Sequence, residues 1–431
     1  MTVPSPATQR LLDFVRAAHR LPSQVRADAE RLLADTLAVG AAGSTAPGAD
    51  GVLRAAMGWG RGEEARVLGS DQRLPAASAA FVNAFRIHCL EWDAVHEPAV
   101  VHALSVVTAA LGASIDRMGG CNPDAALTAQ AVGVDIASGL GIAATSPLKF
   151  FRPATAGCIG AALAVARLEG VEPLEDVLGL AYSFCAGTMQ AHVEGSIALP
   201  LQVANAARSA IMAVDLVKVG LTGPHDALEG RFGYFQLIDD GALATYTDAI
   251  GEHWLISEVS TKPYPSGRAS HGLLGSIANL TVAATDIVAI TGYVPPLIHR
   301  LVGRPMRSDM APAYARLCAP FLAALMLTDG KIDPRRFESA AFQDRELQAL
   351  AAKVSIEIDA NADPNALSPQ GFSIELRDGF IDVEVPRTLG SPEAPLSPMQ
   401  AAAKQGLARE LAPDADPRIF DDPLGWFTEP Q

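Results

Sequence analysis

Lys262-Pro263-Tyr264-Pro265-Ser266-Gly267 divides the chain into two kinds of sequence. Two prolines and a glycine this close together cannot continue a helix, so the segment reads as a boundary. Upstream of it, from about residue 7 to 255, apolar residues recur at every third and fourth position, the period of a helix. The pattern runs through 29–39, 102–113, 125–143, 157–168, 177–189 and 205–219, with Ala and Gly on faces where larger side chains would keep helices apart. A compact all-helical body follows. Downstream, one further helix is expected over 271–290, then alternating segments at 296–302, 354–359, 372–377 and 380–385. Phe372, Ile374 and Leu376 alternate with Ser373, Glu375 and Arg377, the period of a half-buried strand, and Arg377-Asp378-Gly379 reads as a hairpin turn. Pro395, Pro398 and a helical stretch at 399–411 close the chain as a strap laid back on the helical body. The expected fold is therefore mainly α: a large helical domain over 1–259, completed by 393–431, and a smaller α+β lid domain over 260–392.

The chain has 431 residues, 49% of them hydrophobic, which is enough to build large cores. Its 48 acidic against 33 basic residues leave a formal charge of -15, the wrong sign for gripping phosphate backbones, so no nucleic-acid role is expected. The five cysteines are scattered among small apolar residues without a C-x-x-C pair and read as reduced thiols. The first twenty residues lack the basic and apolar regions of a secretory signal, and no uninterrupted apolar run is long enough to cross a membrane. A soluble cytoplasmic protein with no membrane role is the expectation.

The densest polar cluster is His88-Cys89-Leu90-Glu91-Trp92-Asp93-Ala94-Val95-His96-Glu97-Pro98-Ala99-Val100-Val101-His102, which holds three of the nine histidines between two apolar helices. Pro98 forces a break before the next helix, and a break between buried helices is a place for a pocket. Such groups can serve as helix-end polar contacts, but burying so many ionisable side chains without use is costly, which favours acid-base function. The order His-x-x-Glu reverses the Glu-x-x-His of di-iron bundles and is not repeated, so no metal is expected. A second candidate is Lys149-Phe150-Phe151-Arg152-Pro153, two cations ahead of a Gly/Ala-rich helix whose N-terminus favours an anion. The third is Lys262 through Gly267 with Arg268 and His271, at the boundary where two-domain enzymes place a cleft. Gly303-Arg304-Pro305-Met306-Arg307 adds cations in what reads equally as a surface loop, and His192 with Glu194 reads as structure. Gly139-Leu140-Gly141 interrupts a helical pattern rather than following a strand, so it is not a dinucleotide turn, and no phosphate loop or G-x-S-x-G elbow is present.

Taken in order, these segments resemble the MmgE/PrpD family. The resemblance is carried by Asn83, His88, Leu90, Glu91, Trp92, Asp93, His96 and His102, by Thr155-Ala156-Gly157, by the glycine-rich stretch at 220–233, by Lys262-Pro263-Tyr264-Pro265 with His271, and by Asp329-Gly330. It covers nearly the whole chain. It implies a helical domain with an α+β lid, a homodimer, no cofactor and no metal, and a reaction at carbon next to a carboxylate. The chain departs from the family pattern in carrying Arg152 for a His, Leu199 for a Lys, Gln202 for a His, Ser266-Gly267 for a Cys or His, and Asp93-Ala94-Val95 for Asp-Asp-Thr.

The chemistry so implied is proton transfer through an enolate-like dianion, which needs a base with a pKa near working pH and fixed cations where charge develops. His102 or His96 is expected as acid/base, Asp93 as the group that orients a histidine, and His271 as a second acid/base. Arg152, Lys262 and Arg268 are expected as carboxylate clamps, with Glu91 also contacting substrate. The expected function is a cofactor-independent lyase of the dehydratase type on a small carboxylic acid. The alternatives are an epimerase or isomerase, a decarboxylase, or a silent paralogue that binds a metabolite.

Overall fold

Helices that carry Gly and Ala on their contact faces can meet backbone to backbone, and the larger core is built that way. The computed structural model describes residues 4–430; Met1–Val3 and Gln431, at the outer edges of the expected domain bounds, lie outside them. The body is assembled from α1 (Ser23–Ala42), α2 (Ala76–His88), α3 (Ala103–Met118), α4 (Pro123–Ala143), α5 (Arg152–Glu169) and α6 (Ala198–Lys218). Where α4 crosses α5, Gly133 and Gly160 face each other, and a Cβ on Gly160 would lie 2.4 Å from the Gly133 carbonyl oxygen. Helix α4 is long and apolar enough to cross a membrane, but it is buried among its neighbours as a core helix. Its Asp135 accepts from the Tyr246 hydroxyl at 2.7 Å and the Leu255 amide at 2.9 Å.

A second core lies beyond the proline-rich boundary. It comprises α7 (His271–Ala278), β1 (Ile287–Val294), α8 (Pro296–Val302), α9 (Ala319–Asp329), β2 (Val354–Ile358), β3 (Gln370–Leu376) and β4 (Gly379–Val385). The strands form one mixed sheet in the order β2-β1-β3-β4, parallel only between β1 and β2. Ile290, Phe372 and Ile374 point from the sheet towards Leu274, Phe321 and Leu322 on the helices. Leu376 pairs with Gly379, so the hairpin turns on Arg377-Asp378, with Gly379 opening the last strand.

Two expectations fail here. The helix expected over 271–290 stops at Ala278, and Ile287–Val294 is instead the central strand. Its β-branched residues suit a pleated surface better than a helix. The strand expected at 296–302 is α8: Pro296 sits in the first turn, where its missing N–H is harmless, and Leu297, Ile298 and Val302 turn one buried face inward.

After the sheet the chain returns to the first core through α10 (Pro398–Leu411) and α11 (Pro423–Thr428). Ala412, Ile419, Trp426 and Phe427 are buried in that core, and the Arg66 guanidinium lies 4.0 Å over the Trp426 ring. Helix α10 opens with a capping box in which the Ser397 and Gln400 side chains each satisfy the other's backbone amide. Near its middle, the Lys404 ammonium is held 2.6 Å from Asp35 and donates to the Trp92 carbonyl at 3.2 Å.

Gly160→Ala is expected to lower stability by about 1–3 kcal/mol, the cost of overpacking, in urea unfolding. Gly51→Ala, in a helix position with open space around it, is expected to leave stability unchanged or to raise it by up to about 1 kcal/mol.

Candidate active site

The segment between α2 and α3 is irregular because two residues take left-handed backbone geometry and a proline turn reverses the chain. Glu91 has φ 54° and Val100 φ 53°, costly for a β-branched valine. His96 and Val101 pair across the Pro98 turn, with the His96 amide donating to the Val101 carbonyl at 2.9 Å. Val95 pairs in turn with Ser260 at the boundary between the cores, and the Thr261 amide donates to the Gly390 carbonyl in the turn that follows the lid's last strand. Three stretches of chain thereby meet at one seam.

Asp93 is the centre of the site. It is fully buried, and its Oδ2 accepts from His88 Nδ1 at 2.8 Å, from His102 Nδ1 at 3.0 Å and from the Ser105 hydroxyl. Burial alone would raise its pKa, but the two imidazoles outweigh burial and hold it well below the usual carboxylate range. Burial works against charging both histidines: it prevails at His102, whose pKa is lowered, whereas the Asp93 charge prevails at His88, whose pKa is raised. His88, Asp93 and His102 also lie close enough to form a metal ligand set. Both ring nitrogens and the serine hydroxyl already converge on one carboxylate oxygen, which is the donor set of a hydrogen-bonded hub.

The Lys262 ammonium, without exposure, lies 2.9 Å from the Glu91 carbonyl, 3.2 Å from the Glu91 carboxylate and 3.9 Å from Asp93 Oδ1. The left-handed turn at Glu91 brings its carbonyl and its side chain onto the same cation. Burial raises the Glu91 pKa, but Lys262 and the two histidines overcome this and lower it.

Beside this network lies a cavity of about 70 Å3, lined by Glu91, His102, Arg152, His192 and Arg268 among apolar side chains that include Val100, Leu148, Phe151 and Leu199. His102 is the N-terminal flanking residue of α3 and makes no capping bond with its side chain. With Nδ1 on Asp93, its Nε2 is the nitrogen left for the cavity. Across the cavity, His192 accepts through Nδ1 from Arg304 Nη2 at 3.3 Å, which leaves its Nε2 carrying the proton. Burial, with Arg304 next, lowers its pKa to about 4, so the ring is neutral.

Several expected residues sit elsewhere or are already engaged. His96 does not line the cavity; the Pro98 turn directs it away, with Nδ1 on the Ala99 amide at 3.2 Å and Nε2 3.4 Å from Glu258. His271 is buried behind the cavity wall, its Nε2 3.2 Å from the Ser266 hydroxyl and its Nδ1 3.4 Å from Arg268. Burial, with Arg268 and Lys262 adding to it, holds its pKa well below the ordinary value. The three expected clamps are each met by an internal carboxylate. Arg152 grips Asp239 through Nε at 2.9 Å and Nη2 at 3.0 Å, Arg268 meets Glu97 at 2.8 Å, and Lys262 meets Glu91. Arg268 also donates to the Leu389 and Thr388 carbonyls, tying the lid's exit to the Pro98 turn. Sequence reasoning missed His192 and Arg304 as a pair; the only signals were the polar pair His192 and Glu194, and the cations at 304 and 307.

Comparison with known proteins places the chain among relatives along most of its length. Cis-aconitate decarboxylase of Homo sapiens is 26% identical over 391 residues, covering 85% of this chain and 80% of that protein. The Mus musculus cis-aconitate decarboxylase is 25% identical over 374 residues, covering 81% and 75%. That of Aspergillus terreus is 26% identical over 426 residues, covering 88% and 84%. The family model of the MmgE/PrpD N-terminal domain matches residues 9–246, and that of the MmgE/PrpD C-terminal domain matches 264–417. With both of its halves matched, the chain belongs to the MmgE/PrpD family.

Proposed function

We propose that this protein is a cofactor-independent lyase of the dehydratase type that removes a proton from carbon next to the carboxylate of a small acid. The observation that carries the proposal is His102: a neutral imidazole with one nitrogen on a buried carboxylate and the other turned to a cavity. In that tautomer the Nε2 lone pair takes the substrate proton. The imidazolium that forms lies 3.0 Å from Asp93, which stabilises it. Charge then builds on the substrate carboxylate, where the Nε2–H of His192 donates; a neutral imidazole can polarise a developing oxyanion without surrendering its own proton. Arg152 adds a donor through Nη1, the end not used by Asp239 and Ser146. The C–O bond at the neighbouring carbon breaks, and hydroxide leaves with the proton that His102 has taken. The products are water and an unsaturated acid.

A decarboxylase is the second reading, favoured by its relatives among the cis-aconitate decarboxylases. There a carbon–carbon bond breaks, carbon dioxide leaves, and His102 must begin protonated to deliver a proton to the carbanion. Burial lowers the His102 pKa, which suits a base better than a donor. Epimerisation needs two bases facing opposite sides of one carbon, and His271, the expected second base, is behind the wall.

Incubation of candidate acids with protein in heavy water tests the shared step. His102→Gln is expected to slow deuterium entry next to the carboxylate by about 10²–10⁴-fold, the usual contribution of a general base, while His96→Gln leaves it within about threefold. Equal rates in both variants and wild type would remove His102 from the reaction.

The pH profile has a definite sign. His102 acts when deprotonated and its pKa lies below the ordinary 6.5, so kcat/KM should be level through neutrality and fall only as pH drops below that value. A fall on raising pH through 6.5 would instead mark His102 as a proton donor. Chelation by EDTA is expected to leave exchange unchanged; loss of exchange restored by a divalent ion would reassign His88, Asp93 and His102 to a metal.

A further inference from the structure

A charge balance around the cavity narrows the substrate. The charged residues that line it are Glu91, Arg152 and Arg268, and each is neutralised within the protein, by Lys262, Asp239 and Glu97 respectively. The remaining wall is apolar, and Leu199 occupies it without a charge. Behind His192 stands Arg304, which donates to that ring through Nη2; its Nη1 is buried without a hydrogen-bond partner, and no carboxylate lies within ion-pair distance among the described residues. Arg316 is likewise without an ion-pair carboxylate, but it does not line the cavity; it is buried with its guanidinium 4.9 Å over the Phe337 ring, near Glu91 and Cys89. Arg304 thus reaches the cavity without an ion-pair partner of its own, stacked 4.8 Å over the Tyr314 ring, and it acts through the imidazole that presents an N–H.

From this balance we infer that the cavity takes an acid with a single carboxylate on a short apolar body, and not a di- or tricarboxylate. The carboxylate sits at the His192 and Arg152 end, and the carbon chain lies along Val100, Leu148, Phe151 and Leu199. The size agrees: about 70 Å3 holds roughly five waters at the ~10–15 Å3 each requires, room for a chain of a few carbons. A second carboxylate would meet Leu199 or the paired Glu91, so it would lose its water without gaining a cation. This inference rests on the proton-transfer proposal only for its choice of cavity.

Titration calorimetry on the full chain decides it, with butyrate and 3-hydroxybutyrate as one-carboxylate probes and succinate and citrate as multiply charged ones at matched ionic strength. The expected result is binding of the first pair at least tenfold tighter than the second, and a loss of at least tenfold in Arg304→Gln. Should Arg304→Gln fail to fold, Leu199→Lys supplies a gain instead: a cation on the apolar wall should raise succinate affinity at least tenfold relative to butyrate. Wild type that binds citrate or succinate as tightly as butyrate, or binds none of the four, would overturn the inference, as would unaltered binding in folded Arg304→Gln. Deuterium exchange on the same probes keeps the two proposals separate. Binding of the monoacids without exchange counts against proton abstraction alone; exchange into citrate counts against the substrate class alone.

Discussion

A carboxylate with no access to water is the constraint from which the site follows. Asp93 cannot stay charged in a protein interior unless neighbours replace the solvation it has lost, a penalty of several kcal/mol for an isolated ion. Two imidazoles, a hydroxyl and the nearby Lys262 ammonium do so here. The geometry that brings them together is itself costly: left-handed backbone at Glu91 and Val100 is worth on the order of 1–3 kcal/mol each and persists because the surrounding bonds fix it. The tautomer proposed for His102 is a by-product of this arrangement, since the nitrogen that serves Asp93 is no longer free to face the cavity.

The same network joins the two cores. Lys262 and Arg268 belong to the boundary segment, whereas Glu91 and Glu97 belong to the loop between helices of the larger body. The cavity lies where those pairs close. Each pair holds the seam together by consuming a cation that a substrate would otherwise find, so the stability of the junction and the apolar character of the cavity have one origin.

What the sequence disclosed depended on how local the determining interaction is. The helical body, the hairpin at Arg377-Asp378 and the break at Pro98 are written in short-range periodicity and turn chemistry. The central strand at 287–294 was hidden because the apolar run from His271 continues into it with little punctuation, and α8 was hidden because a segment this short, with four apolar residues after its proline, is too brief to fix its period. The polar cluster from His88 to His102 stood out by density alone. Its internal selection did not: that His102 faces the cavity while His96 turns to Glu258 is decided by the sense of one turn. The partners of the three expected clamps were harder still. Asp239 is far from Arg152 along the chain and carries no local mark of its role, so a cation that looked available was already committed. His192 resembled an ordinary helix end because Arg304, the residue that sets its tautomer, comes from the other core.

The ammonium of Lys404 on the carbonyl beside Asp93 has a consequence for how the protein is made. On a ribosome the residues of the hub emerge early, yet the helix that braces them is translated only after the lid. Until it arrives, the Trp92 carbonyl and the Asp35 carboxylate lack their cation, and the nascent helical body must wait in an incomplete state while the whole lid is synthesised. A chain stopped after the lid would carry the side chains of the hub without the brace that holds the carbonyl beside Asp93.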